Sequence, residues 1–296
     1  MAIDGRAKGL FELTRPGNAF AAGMLTFIGA FVAGGVFTDP KPIRVVAAVA
    51  ATWFATGAGN AINDYFDRDI DRINAPERPI PRGAVSPRGA LLFSGALFGG
   101  AVVAALVLPV LAIAIAAVNL IALVAYTKLF KGLPGVGNAV VAYLGGSTFL
   151  FGSVAVAVGA RGAVLPQGVN TGIRAAFILF LLAALSTFTR EIIKDVEDMA
   201  GDREEGLNTL PLAIGADPAL AIGAVLLVIA VAASPLPYIW GTFGLPYLVV
   251  LVPADFVMLY AVYESFDDPT AGQNHLKYGM FFAAIAFVVG RIAVLL

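Results

Sequence analysis

An all-α membrane protein of nine transmembrane helices is the fold class this sequence predicts, and three observations lead to it. Of the 296 residues, 59% are apolar and only 13% charged, and the mean hydropathy is +0.87. Apolar stretches of about 20 residues, the length that crosses roughly 30 Å of hydrocarbon, recur from one end of the chain to the other. Acidic residues collect at the ends of these stretches, whose middles are almost wholly apolar. A water-soluble α/β enzyme of this length would carry about twice the charge, so that class is set aside. The whole chain, 1–296, is read as one transmembrane domain.

The spans fall near 17–36, 43–66, 89–108, 110–127, 136–158, 173–194, 217–234, 243–263 and 276–295. Ahead of the first, MAIDGRAKGLFELTRPGNAF carries charges up to Arg15 and has no small-residue cleavage site after a short apolar core. It does not read as a signal peptide, and the first span is expected to be retained. Pro16, Pro87, Pro109, Pro134, Pro235 and Pro237 sit at span ends, where proline starts or stops a helix. The Gly and Ala within several spans suit close helix packing in lipid. His275, in GQNHLKYG, reads as a surface residue of the loop before the last span. Asp255, in VPADFVMLY, is an isolated acid within an apolar span and must find a partner or a proton; a packing or helix-start role after Pro253 competes with a place in a pocket. With no Cys there is no disulfide framework, thiolate metal site or thiol nucleophile.

Nine spans leave the termini on opposite sides. The N-terminus and the loops after spans two, four, six and eight hold 14 of the 19 Lys and Arg, while Lys41, Arg44, Arg161, Arg174 and Arg291 fall on the other face. By the positive-inside rule the richer face is cytoplasmic, and Arg291 reads as an anchor on the far side. The net charge of −1 does not point to any partner, and no nucleic-acid partner is expected.

The chemistry is concentrated in Asn60 to Arg88, NAINDYFDRDIDRINAPERPIPRGAVSPR, which places five acidic residues and five Arg after a long apolar span. EIIKDVEDMAGDREEG repeats its spacing: Asp195, Asp198 and Asp202 follow Asp64, Asp67 and Asp71 at one offset of 131 (195−64, 198−67, 202−71). On a helix Asn63, Asp64, Asp67 and Asp71 share one face, as do Glu191, Asp195, Asp198 and Asp202. Stacked carboxylates repel unless cations lie between them. All the candidate ligands are oxygen, which selects a hard ion, Mg²⁺, rather than Zn²⁺ or Cu. Mg²⁺ completes its shell with waters and phosphate oxygens, so the substrate should carry a diphosphate. A single Asp-rich loop would most often be a solvated turn; two in matching register favour a metal site. Duplication of a four-helix half and convergence on one ligand geometry both explain the match. Arg72, Arg78 and Arg82 follow the first cluster, Tyr126, Lys128 and Lys131 end the fourth span, and Arg190 and Lys194 flank the second cluster. Arg forks and Lys point charges are what diphosphate oxygens need. Arg15, at the start of span one on the same face, joins them as a pocket candidate.

NDYFDRDIDRINAPERPIPRG and KDVEDMAGDREEGLNTLP together resemble the two Asp-rich motifs of the UbiA-type intramembrane prenyltransferases, and the likeness extends through TRPGNAF and YTKLFKGLPGVGN. The resemblance implies nine helices around a central cavity, an active site toward the cytoplasm and a lateral opening to lipid. Its metal ligands map onto Asn63, Asp67, Asp71, Asp198 and Asp202, with Asp64 and Asp195 as close supports. Diphosphate contacts fall to Arg72, Arg78, Tyr126, Lys128, Lys131 and Lys194. A Tyr-x-x-x-Lys pattern found in some members is not met at Tyr126, where the residue four on is Phe130.

Within that family REIIKDVEDMAGD…TLP is similar to the archaeal enzymes that attach a second geranylgeranyl chain to a glyceryl phosphate lipid, and INAPERPIPRG to chlorophyll synthases. The expected reaction is Mg²⁺-dependent transfer of a geranylgeranyl group from its diphosphate to the hydroxyl of geranylgeranylglyceryl phosphate, with the proton passing to Asp64 or Asp71. The partners are then a prenyl diphosphate donor, a lipid acceptor and membrane lipid. An aromatic or pigment acceptor is the rival within enzymes. An ion-coupled transporter is the rival outside them, although its acids would be expected at mid-span.

Overall fold

The structure, a computed structural model, describes residues 2–34, 36, 41–157 and 168–296; Arg161 lies outside them. Every element among the described residues is helical. In chain order they are α1 (Ala2–Leu13), α2 (Pro16–Ala33), α3 (Lys41–Phe66), α4 (Arg68–Asn74), α5 (Pro87–Ala105), α6 (Val110–Ala125), α7 (Val136–Ala157), α8 (Gly168–Glu197), α9 (Met199–Glu204), α10 (Leu210–Ile214), α11 (Ala216–Ala233), α12 (Leu236–Ile239), α13 (Pro246–Glu264) and α14 (Pro269–Leu295). Nine helical segments among the described residues are long and apolar enough to cross a membrane, and they answer one for one to the nine expected spans. Large apolar side chains such as Ile121, Val249 and Val46 stand exposed within these helices. A face of that kind is stable against lipid. The chain is a multi-pass membrane protein.

Two local readings are corrected. His275 is not in a loop: α14 begins at Pro269, seven residues before the expected 276. Asp268 caps it, its side chain accepting from Ala271 N, and Pro269 occupies the first helical position, where its missing N–H costs nothing. His275 Nδ1 then meets Glu264 Oε2 at 2.5 Å. Pro253 lies inside α13 rather than at a helix start, which removes the helix-start role considered for Asp255.

The bundle closes around α7, which packs against α2, α3, α6 and α8. At the crossing of α2 and α7 the backbones touch. A methyl group on Gly152 would lie 2.8 Å from the Thr26 carbonyl carbon and 3.0 Å from Ala30 N, and one on Gly29 would lie 2.7 Å from Phe149 Cα. Only glycine permits that approach. Below the crossing, Phe149, Phe243, Tyr247 and Phe287 form a buried aromatic cluster with ring centroids 4.9–6.2 Å apart. At the opposite end α1 lies over α3 and α5, burying Leu13 against Ala61, Ile80, Val85 and Ala90, while Glu12 pairs with Arg82.

Candidate active site

Each acidic cluster sits across a change of helix direction. α3 ends at Phe66 and α4 starts at Arg68; α8 ends at Glu197 and α9 starts at Met199. The residues between, Asp67 (φ −82°, ψ 0°) and Asp198 (φ −88°, ψ 0°), have nearly the same backbone conformation. The i→i−4 bonds nevertheless continue through both breaks, from Asp67 N to Asn63 O and from Asp198 N to Lys194 O, each at 2.9 Å. The repeat of spacing in the sequence is therefore also a repeat of backbone shape.

Both clusters open on one polar cavity of about 700 Å³. Asn63, Asp67 and Asp71 reach it from one side, and Asp198 and Asp202 from the other. Of the basic and phenolic candidates, Arg15, Arg78, Tyr126, Lys131 and Lys194 also line it. Arg72 does not: it turns outward to Asp69, 2.9 Å away. Lys128 does not either, because its ammonium lies over the Phe66 ring, 5.1 Å from the centroid.

Asp64, expected as a candidate for the proton, and Asp195, expected as a close support, are not among the residues lining the cavity. Asp64 is buried and accepts from Arg15 Nη2 at 2.6 Å, with Arg78 Nη1 at 3.7 Å. Asp195 accepts from the buried Asn138 Nδ2 at 2.7 Å. The helical-wheel reading grouped them with their neighbours, but Arg15 draws Asp64 and Asn138 draws Asp195 away from the cavity that Asn63 and Glu191, one residue and one turn away, still line.

The carboxylates that do face the cavity are held by bases. Lys131 Nζ lies 2.7 Å from Asp67 Oδ2, which also accepts from Asn63 Nδ2 at 2.8 Å. Arg78 Nη1 reaches both oxygens of Asp71 at 2.7 Å, and Lys194 Nζ lies 2.7 Å from Asp198 Oδ2. Burial opposes the Arg78 charge, but the Asp71 hydrogen bond and the charges of Asp71, Asp64 and Asp67 outweigh it and raise its pKa. Burial likewise pushes the Asp202 carboxyl above the usual range, with the Asp198 charge adding to it.

Among the described residues no three carboxylate or imidazole side chains already converge as a metal-ligand set. The donor set still suits a hard cation. Asn63 is the clearest sign: its nitrogen is engaged by Asp67, while Oδ1 is buried with no hydrogen-bond donor. A buried acceptor of that kind needs a partner, and a Mg²⁺ ion supplies one.

Two backbone features place the bases. Arg15 is the only described non-glycine residue with positive φ (φ 46°, ψ 69°), a left-handed conformation of the sort that persists at functional sites when its surroundings enforce it; Pro16 behind it and the Asp64 ion pair do so here. Beyond α6 the helix widens into a π turn, Tyr126–Phe130, in which Lys131 N bonds to Tyr126 O at 3.0 Å. In such a turn the residue five on returns to the same side. Lys131 thus joins Tyr126 on the cavity wall, and the unmet Tyr-x-x-x-Lys spacing is made good by geometry.

Sequence reasoning missed Asn138 and the cavity-lining Asn18 and Asn60. Single amides in apolar spans carry no spacing signal, although the GN of KGLPGVGN preceding an apolar run was a pointer.

A second cavity of about 610 Å³, lined mostly by apolar side chains, begins about one helical turn further along α2, α7 and α8. It reaches the side of the bundle between α2 and α14, where Phe20, Phe281 and Phe282 are exposed. Asp255 is on its inner wall, accepting from Ser234 Oγ at 2.8 Å.

A profile of the UbiA prenyltransferase family matches residues 22–285. The chain belongs to this family. It is an intramembrane prenyltransferase. Among curated relatives it is 61% identical to the digeranylgeranylglyceryl phosphate synthase of Natronomonas pharaonis, covering 98% of this chain and 99% of that one. It is 58% identical to the enzyme of the same name from Haloquadratum walsbyi, over 99% of this chain and 97% of that one. A solved structure described as digeranylgeranylglyceryl phosphate synthase in membranes is 35% identical with a TM-score of 0.78, covering 97% of this chain and 99% of that one. A UbiA homologue from Archaeoglobus fulgidus bound to GPP and Mg²⁺ shares the fold, with a TM-score of 0.73 at 20% identity over 97% of this chain and 100% of that one.

Proposed function

We propose that this prenyltransferase moves a geranylgeranyl group from its diphosphate to the free hydroxyl of geranylgeranylglyceryl phosphate, forming the second ether bond of an archaeal lipid core. The reading rests above all on one feature: a polar cavity carrying both acidic clusters lies about one helical turn from an apolar cavity at whose side Phe20, Phe281 and Phe282 are exposed. A substrate with a charged head and a hydrocarbon tail is complementary to that pair. The acceptor follows from the full-length likeness to relatives named for this synthesis. The active site faces the cytoplasm, in keeping with the Lys and Arg distribution.

Asn63, Asp67, Asp71, Asp198 and Asp202 would hold Mg²⁺. Bound there, Mg²⁺ would neutralise the diphosphate as a leaving group. Arg15, Arg78, Lys131 and Lys194 reach phosphate oxygens from the cavity wall, and Tyr126 offers a phenolic donor. Asp64 fixes Arg15 and Arg78, and Asp195 ties α8 to Asn138 of α7, so these two acids position the machinery. Arg72 and Lys128 are left outside it. The apolar cavity shelters the allylic cation from water.

Purified protein given labelled geranylgeranyl diphosphate should prenylate geranylgeranylglyceryl phosphate in a reaction stopped by chelation, and leave aromatic acids untouched. Product from an aromatic acid alone would overturn the acceptor assignment.

A further inference from the structure

The two cavities come within about one helical turn of each other on three helices. On α2 the boundary lies between Asn18 and Ala21, on α7 between Val141 and Gly145, and on α8 between Glu191 and Thr187; the first residue of each pair lines the polar cavity and the second the apolar one. Each step is about one helical turn, or about 5.4 Å. A donor with its diphosphate in the polar cavity and its chain in the apolar one has its reacting carbon at this boundary. The acceptor hydroxyl must meet it there.

We infer that Glu191 is the general base that takes the proton from the acceptor hydroxyl. This rests on the hydroxyl-acceptor reading above. Among the described acids, Glu191 is the carboxylate at the boundary. Asp71 has both oxygens taken by Arg78, Asp67 is assigned above to Mg²⁺ and accepts from both Lys131 and Asn63 on Oδ2, and Asp64 is not among the cavity-lining residues and pairs with Arg15. Asp198 and Asp202 are two and three turns further along α8 and α9 toward the cavity mouth. Glu197 is bound by Thr270 Oγ1 at 2.8 Å and Gln273 Nε2 at 2.6 Å. Among the described residues Glu191 has one ion pair, Arg190 Nη1 to Oε1 at 2.9 Å, which engages a single oxygen and orients the group. Its side chain is 14% exposed, shielded from bulk water yet on the cavity wall.

The acceptor O–H bond breaks and its proton passes to the Glu191 carboxylate. The oxygen lone pair forms the new bond to the allylic carbon. The bond from that carbon to the diphosphate oxygen breaks, and its electron pair leaves with the diphosphate. Glu191 then loses the proton to water through the polar cavity.

The test uses full-length protein, Mg²⁺ and a donor carrying ¹⁸O in the bridging position. Glu191→Gln should lower ether formation by on the order of 100-fold or more. Mg²⁺-dependent scrambling of the bridging label, which reports ionisation of the donor, and donor binding should both stay at the wild-type level. Glu191→Asp should recover part of the loss. A Glu191→Gln enzyme that forms ether within tenfold of wild type would overturn the assignment and leave the diphosphate as the base. Loss of scrambling together with transfer would also overturn it, by placing Glu191 in donor binding or in folding. Should wild type itself scramble the donor but form no ether with the glyceryl phosphate lipid, the acceptor reading fails, and the base assignment with it.

Discussion

The crossing of α2 and α7 offers a prediction whose size follows from the coordinates. Gly152→Ala drives a methyl carbon into the Thr26 carbonyl oxygen and puts it 2.8 Å from the Thr26 carbonyl carbon and 3.0 Å from Ala30 N, whereas carbon atoms pack at about 3.5–4.0 Å. The obstruction is main chain, so no side chain can swing aside, and the helices must part by about 1 Å. Overpacking of this kind costs about 1–3 kcal/mol, partly offset by the better helix propensity of alanine. The functional cost is larger. α2 carries Asn18 to the cavity, with Arg15 at its cap, and α7 carries Asn138 to Asp195; a displacement of 1 Å at a reacting site can cost about 100-fold in rate. Thermal unfolding of detergent-solubilised protein, followed by the fluorescence of its two Trp, would be read beside the prenyl-transfer rate. Gly95→Ala and Gly99→Ala, where an added methyl meets nothing within 4 Å, are the controls. A Gly152→Ala protein as stable and as active as those controls would refute the reasoning.

Asp67→Asn and Asp198→Asn should each lower Mg²⁺-dependent transfer by on the order of 100-fold or more, measured with saturating metal, while the protein inserts and folds; full activity in either removes the metal site. Arg78→Ala leaves Asp64 and Asp71 short of their shared partner and should cost about 3 kcal/mol in unfolding experiments, with Arg78→Lys recovering only part because the two-oxygen contact is lost. Asn138→Ala deprives Asp195 of its donor, for an expected loss of about 1–3 kcal/mol by the same measurement; an unchanged unfolding midpoint would show that the bond is dispensable. In this Cys-free chain, Glu77→Cys should react with an impermeant thiol reagent only from the cytoplasmic side and Trp240→Cys only from the opposite side. The reverse labelling pattern would invert the topology.

The spans were legible because a bilayer imposes length and apolarity on each helix separately, and neither depends on what the helix packs against. The Asp positions were legible because charge repulsion makes their spacing costly without a cation. What escaped depends on contacts distant in sequence. Asp64 and Asp67 look alike on a helical wheel, yet one ends under Arg15 and the other on the cavity wall, because their partners, Arg15 and Lys131, come from other elements. Lys128 and Lys131 differ for a similar reason. The π turn that sends one to Phe66 and the other to Asp67 lies against Gly137, where an added methyl would be 2.9 Å from Phe130 O. No local propensity announces that packing.

The wide turn at Tyr126–Phe130 can also be read as an insertion confined to one place. An extra residue in an ordinary α-helix rotates everything after it by about 100°, since 3.6 residues make a turn. Here the added residue is taken up in a single loop of helix, and α7 keeps the register that brings Asn138 to Asp195. Deleting Leu129 would bring Lys131 to four residues after Tyr126 and let the turn close to α geometry, with the ammonium still facing the cavity. What the site selects is where Lys131 ends, beside Asp67, not how many residues lead to it.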